Sequence, residues 1–226
     1  MTILRKLRRL ISNRSGVAMT EFALGAPFLL TAGLWGIETA NFVVMNMKVG
    51  QLAVHIADNG SRVGDTSTLA DRKIYESDLN DLLIGASIQG GQKMALYEHG
   101  RVIISSLETD SASGDQYIHW QRCRGKQHTT STYGNEGDGL SAQIDGMGPS
   151  GEEVVAESQD AVIFVEISYE YQPLISERFI SGDHMISTIS SFTVRDDRDL
   201  SQIYQRDIGS PDEVSDCNTY SGAPAI

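Results

Sequence analysis

Val17-Ala-Met-Thr-Glu-Phe-Ala-Leu-Gly-Ala-Pro-Phe-Leu-Leu-Thr-Ala-Gly-Leu-Trp-Gly-Ile37 is a run of twenty-one residues with one charge, Glu21. As a helix rising about 1.5 Å per residue it measures roughly 30 Å, the thickness of a bilayer's hydrocarbon layer. Ahead of it, residues 1–16 hold Arg5, Lys6, Arg8, Arg9 and Arg14 and no acid. The positive-inside rule keeps such a leader cytoplasmic and sends the chain beyond about residue 45 to the far face, with Trp35 near the outer boundary. An ordinary secretory signal carries its small-residue cleavage site after the apolar core. Here the order is reversed, because Gly16 stands between the basic leader and the apolar run. A cut after Gly16 would remove the charges and leave the anchor on a chain beginning at Val17, with Glu21 at its fifth position.

Past the bilayer length, Val43, Val44, Met47, Leu52, Val54 and Ile56 keep helical spacings amid rising polarity, and Asn59-Gly60 and Gly64 supply stops. One helix over residues 17 to about 60 would be on the order of 60 Å long. The apolar stripe of its outer half then needs a cover, either the chain's own head or a neighbouring subunit. Glu38 falls near the outer boundary, where exposure to water is expected. Pro27 should bend the helix if it continues past it. Gly25, Ala32, Gly33 and Gly36 would allow close helix contacts in lipid.

The rest of the chain reads as a small head. Residues 69–84 are expected to form a short amphipathic helix or helix pair, with Asp65-Thr66-Ser67-Thr68-Leu69 as its N-cap region. Strands are expected at 101–107, 116–121, 161–171 and 186–194, the fourth pairing back onto the third; alternation is clearest where Ile163, Val165, Ile167, Tyr169 and Tyr171 share one face. Residues 125–151 hold seven glycines and Pro149, and read as a long flexible loop, either a contact surface or locally disordered. The tail from Gly209 is irregular. The fold class is therefore α+β: a long N-terminal membrane-anchoring helix followed by a small antiparallel-sheet ectodomain. Its divisions are a cytoplasmic leader at 1–16, a transmembrane and protruding helix at 17–62, and a periplasmic or extracellular head at 63–226.

The chain has 226 residues with 18 basic and 30 acidic groups, a formal charge of −12. Beyond the leader 13 basic groups face 30 acidic ones, or −17, and such a surface repels phosphate backbones, so nucleic acid is not an expected partner. Two cysteines, Cys123 and Cys217, have no C-x-x-C and no histidine at ligand spacing. They are a candidate disulfide if the head lies in an oxidising compartment, the alternative being two unrelated thiols. His55, His99, His119, His128 and His184 are scattered, so no metal is expected. No phosphate loop or nucleophile elbow occurs, and neither a catalytic residue nor a cofactor is assigned. The mixed signs of Asp196, Asp197 and Asp199 around Arg195 and Arg198 read as a self-screening surface.

Gly16 followed by Glu21 and an apolar helix resembles the class III leader of type IV pilins, which a prepilin peptidase processes. The wider stretch from Gly16 to Leu30, continued by Gly36-Ile-Glu38 and Ala57-Asp-Asn-Gly-Ser-Arg62, is similar to the TadE-like pseudopilins of tight-adherence pilus systems. Ile118-His-Trp-Gln-Arg-Cys123 and the segment from Phe192 to Asp199 also look like pieces of such ectodomains. The resemblance implies processing between Gly16 and Val17. It implies pairing of Glu21 with a freed amino terminus to set subunit register, and partners in other pilins or pseudopilins, the prepilin peptidase and an inner-membrane assembly platform beside the lipid bilayer. It also implies a bacterial inner-membrane location with the head periplasmic. A signal-anchored periplasmic binding or enzymatic domain is the rival reading.

Overall fold

The computed structural model describes residues 16–65, 71–180, 184–195 and 197–222. Most of the basic leader, residues 66–69 of the expected N-cap region, and Asp196 lie outside them. Helix α1 is Val17–Gly60 and continues through Pro27. The chain divides into two compact units, Met1–Val43 with Pro173–Gly182, and Val44–Gln172 with Asp183–Ile226.

The second unit is α+β. Strands β1 (Gly100–Thr109), β2 (Gln116–Arg124), β3 (Ala161–Glu170) and β4 (Met185–Thr193) form one antiparallel sheet in the order β2-β1-β3-β4. All four expected strands are present, and β4 pairs with β3 from Val162–Thr193 to Glu170–Met185. Cross-strand register sets Ile163, Val165, Ile167 and Tyr169 on one face with Val102 and Ile104, and Val162, Phe164 and Glu166 on the other with Leu107 and Ile103.

Helices cover the first face. Met45, Val49, Leu52, Ala53, Ile56 and Ala57 of α1 are buried at spacings of one helical turn. Gly60 ends this helix against Ile163 and Leu82, which a Cβ there would meet at 3.1 and 3.3 Å. The head itself therefore covers a stripe of the outer helix, but not the expected one. Leu52 and Ile56 point inward, whereas Val43, Val44, Met47 and Val54 are exposed. The helix carries apolar residues on two faces, and the fully buried Ala53 and Ala57 mark the one that allows close approach.

Helix α2, Glu76–Met94, buries Leu79, Leu83 and Ala86 and is broken at Gly91, whose φ of 73° is left-handed. The Tyr169 hydroxyl donates to the Met94 carbonyl at 2.9 Å, and α3 (Leu96–His99) leads into β1. This helix starts later than its amphipathic pattern suggested. Residues 71–75 are extended instead, with Arg72 and Tyr75 bridging in parallel to Arg198 and Tyr204. Asp65 does not cap α2: its backbone N–H donates to the Lys73 carbonyl, and its carboxylate accepts from the Lys73 N–H. The cap is Tyr75, whose N–H donates to the Asp78 carboxylate at 3.1 Å.

The glycine-rich segment covers the second sheet face. Leu107, Ile118, Met147, Ala156, Val162 and Phe164 form a buried cluster, with Tyr133, Ile144 and Val154 packed on it. The buried Glu166 carboxylate accepts from the Ser131 hydroxyl and from the Thr132 N–H. Burial raises its pKa and those hydrogen bonds oppose the rise. The abundance of glycine reflects backbone approach rather than freedom. At Gly139 (φ 101°) a Cβ would lie 2.2 Å from the Gln116 carbonyl oxygen, and next to it Gly137 and Asp138 exchange hydrogen bonds with Ile118 on the edge of β2. Residues 125–151 are thus a fitted cover for the sheet.

The opposite edge is open. Val194 donates to Ala161 and Tyr171 donates to His184, so in antiparallel register the even-numbered residues of β4 bond to β3. Ser187, Ile189, Ser191 and Thr193 turn their backbone groups outward, with no backbone partner among the described residues.

Candidate functional site

The first unit holds the apolar run and its carboxylates. Side chains from Met19 to Ile37 are exposed all round the helix, Phe28 at 78%, and an 18-residue window has a mean hydropathy of 1.5 with none of it buried. Water offers no compensation for such a surface, and lipid does. The length and composition suffice to cross a membrane. Hydroxyls within the run are satisfied locally: Thr20 donates to the Val17 carbonyl at 2.8 Å and Thr31 to the Pro27 carbonyl at 2.7 Å.

Gly16, Val17 and Glu21 are all exposed at the start of this helix. Glu21 lies four residues after Val17, one turn on and on the same face. A Cβ at Gly16, Gly25, Gly33 or Gly36 would meet nothing within 4 Å. None has left-handed backbone either. Nothing among the described residues therefore requires glycine at those four positions. Gly16, Gly33 and Gly36 are exposed.

Glu38 departs from expectation. Its residue is fully buried rather than solvated. The carboxylate accepts from the backbone N–H groups of Leu174 at 3.1 Å, Ile175 at 2.6 Å and Ser176 at 3.4 Å. These donors belong to the connection from β3 to β4, where Pro173 follows the strand and Ser176 caps a 3-10 turn, Glu177–Phe179. A desolvated carboxylate needs donors, and three successive amides supply them. The sequence gives no sign of this pairing, since the partners are main-chain groups 136 to 138 residues away.

In the second unit Cys123 and Cys217 form a disulfide. The irregular tail it holds is closely bonded to β2: Cys123 donates to the Ser215 carbonyl and Gly125 to that of Ser221. Arg101, buried within β1, donates to the carbonyls of Gly125, Thr219 and Cys217 at 3.1, 3.0 and 2.5 Å, and its guanidinium lies 4.1 Å from the Tyr220 ring centroid. Burial lowers its pKa while Tyr220 opposes the change. Sequence reasoning missed this residue, although its odd number puts it on the same strand face as Ile103.

A cavity of about 570 Å³ is lined by Asp71, Glu108, Asp110, Tyr117, Asp197 and Arg198 among others. Its buried member, Glu108, already accepts from Ser106 Oγ at 2.7 Å and the Tyr117 hydroxyl at 3.3 Å, and pairs with His119 Nδ1 at 2.8 Å. Tyr117 is pushed up to about 12, by burial first and Glu108 second. Arg198 donates to the carbonyls of Gly60 and Val63. Among the described residues no three His, Cys, Asp or Glu groups converge as metal ligands.

The hydrogen bond to Glu108 raises the pKa of His119, against an opposing effect of burial. A folded value above the unfolded one, about 6.5, means a stabilising contribution complete below that pH and lost as pH rises through the folded value. Denaturant midpoints of the wild type should therefore fall, relative to His119→Gln, as the pH is raised above about 6.5. Parallel profiles for the two proteins would show that this pair is not coupled to folding.

Neither a known protein family, nor a curated protein, nor a solved structure matches this chain.

Proposed function

We propose that this chain is a pseudopilin-like assembly component, inserted in the bacterial inner membrane by α1 and cut after Gly16 by a prepilin peptidase. It acts by packing rather than by catalysis, in building a tight-adherence, type IV-like surface fibre. The observation that carries the reading is the apolar helix exposed on every side from Met19 to Ile37, headed by an accessible Gly16 and by Glu21 one turn beyond the new amino terminus.

Glu21 is the one charge in that run. In lipid it needs a cation, and the freed Val17 amine of its own or a neighbouring chain supplies one, which fixes helix register. The bare glycines let neighbouring pilin helices approach closely, and the exposed Val43, Met47 and Val54 extend the apolar contact beyond the bilayer length. The head stays periplasmic, where its disulfide is chemically at home. The assembly platform in the inner membrane would receive the chain through α1.

Mass spectrometry of protein extracted from native membranes tests this. The expected N-terminus is Val17, and Gly16→Leu should abolish the cut, although nothing among the described residues crowds that position. Glu21→Gln should leave insertion and cleavage intact and eliminate fibres. An intact Met1 on native protein would overturn the reading in favour of a tethered binding or catalytic domain, for which the acidic cavity is the available support.

A further inference from the structure

The segment Pro173–Ile180 has no role in the anchoring just proposed, yet it is bound to the same helix. Glu38 stands twenty-one residues after Val17. At about 1.5 Å per residue that is roughly 30 Å along the helix, where the hydrocarbon layer ends if it begins near Val17. The segment that Glu38 holds turns its side chains outward: Leu174 is 54% exposed, Ile175 is exposed, and Phe179 and Ile180 are half-buried. Trp35 and Ile37, within a turn of Glu38, are exposed too. Arg178 and Glu177 are exposed within the same segment. An apolar group with a charged fringe, set at the end of a membrane-length helix, has the chemistry of the interface between acyl chains and headgroups.

We propose that Pro173–Ile180 is a second membrane-contact element, a loop that inserts Leu174 and Ile175 into the outer headgroup boundary, with Glu38 as its positioning residue. This rests on α1 lying in the membrane. The buried carboxylate fixes three successive amides of the loop and so fixes the depth at which the two side chains meet lipid. A side chain that could accept only one or two of those donors would release the loop. The surface served is a bilayer, because it continues the apolar surface of the anchor without a break in kind.

The test uses the full chain in phosphatidylcholine and phosphatidylglycerol vesicles whose acyl chains are brominated near the headgroup end. Both native cysteines are in the disulfide, so Ile175→Cys provides one free thiol for a polarity-sensitive fluorophore, and the loop amides are untouched. Quenching of Trp35, read as the signal lost in Trp35→Phe, reports the anchor separately. The expected result is a blue-shifted probe quenched by the brominated lipid together with Trp35. In Glu38→Gln the probe should lose both shift and quenching while Trp35 remains quenched. A water-like, unquenched probe beside a quenched Trp35 would overturn the loop proposal and leave the anchor standing. If Trp35 is also unquenched, the anchor fails and the loop proposal falls with it. A probe equally deep in Glu38→Gln would remove the positioning role from that carboxylate.

Discussion

Replacing Cys123 and Cys217 with serine should lower the unfolding free energy by about 4 to 5 kcal/mol, the loop-closure value for a cross-link spanning nearly a hundred residues. The two cysteines are 94 apart in sequence, so the bond removes a large share of the freedom available to the unfolded head. The folded state should change little. Ser215 and Ser221 still accept from Cys123 and Gly125 backbone, and Arg101 still holds the tail carbonyls. Urea titration of the full chain in detergent, followed by Trp120 fluorescence, should show a lower midpoint with an unchanged native spectrum. A loss below about 1 kcal/mol would mean that the unfolded chain already keeps these segments together.

Arg122→Ala should cost about 3 to 5 kcal/mol, because it strands a buried charge. Arg122 on β2 donates through Nε to Glu76 Oε2 at 3.0 Å and through Nη2 to Glu76 Oε1, and also to the Gln121 carbonyl at 2.8 Å. Both side chains are nearly inaccessible, at 11% and 5%. The pair ties the first turn of α2 to the sheet. Its net worth is a different matter from the cost of breaking it, since removing both charges also removes both desolvation penalties. The double variant Arg122→Met with Glu76→Leu should recover most of the loss. If the double variant is as unstable as Arg122→Ala alone, the hydrogen-bonded geometry and not the stranded carboxylate is what matters. The same titration reads all three proteins.

Local pattern fixed the elements whose signal is periodic and continuous. The alternation of Ile163, Val165 and Ile167 defined β3, and the Asn59-Gly60 stop matched the end of α1 at Gly60. The start of α2 is not legible locally, because Leu69 and Ile74 continue its apolar spacing, while the chain at 71–75 is drawn into bridges with residues beyond 197. Glycine density at 125–151 does not distinguish a contact surface from local disorder, and Gly139 is where two backbones nearly touch. The same ambiguity governs the proposed site. Gly16, Val17 and Glu21 are legible because their meaning depends on spacing along one helix. Glu38 and Arg101 were not, because each satisfies backbone groups brought to it by remote segments.

That a membrane-length apolar helix precedes a strand-rich acidic head follows from local pattern alone, since hydrophobic period and charge are properties of neighbours along the chain. Which stripe of that helix the head buries, and which carboxylate is sealed from water, depends on the folded chain. So does the choice of the loop that serves as a cover. Burial and hydrogen-bond satisfaction are settled by groups distant in sequence, and composition carries no record of which of them will meet.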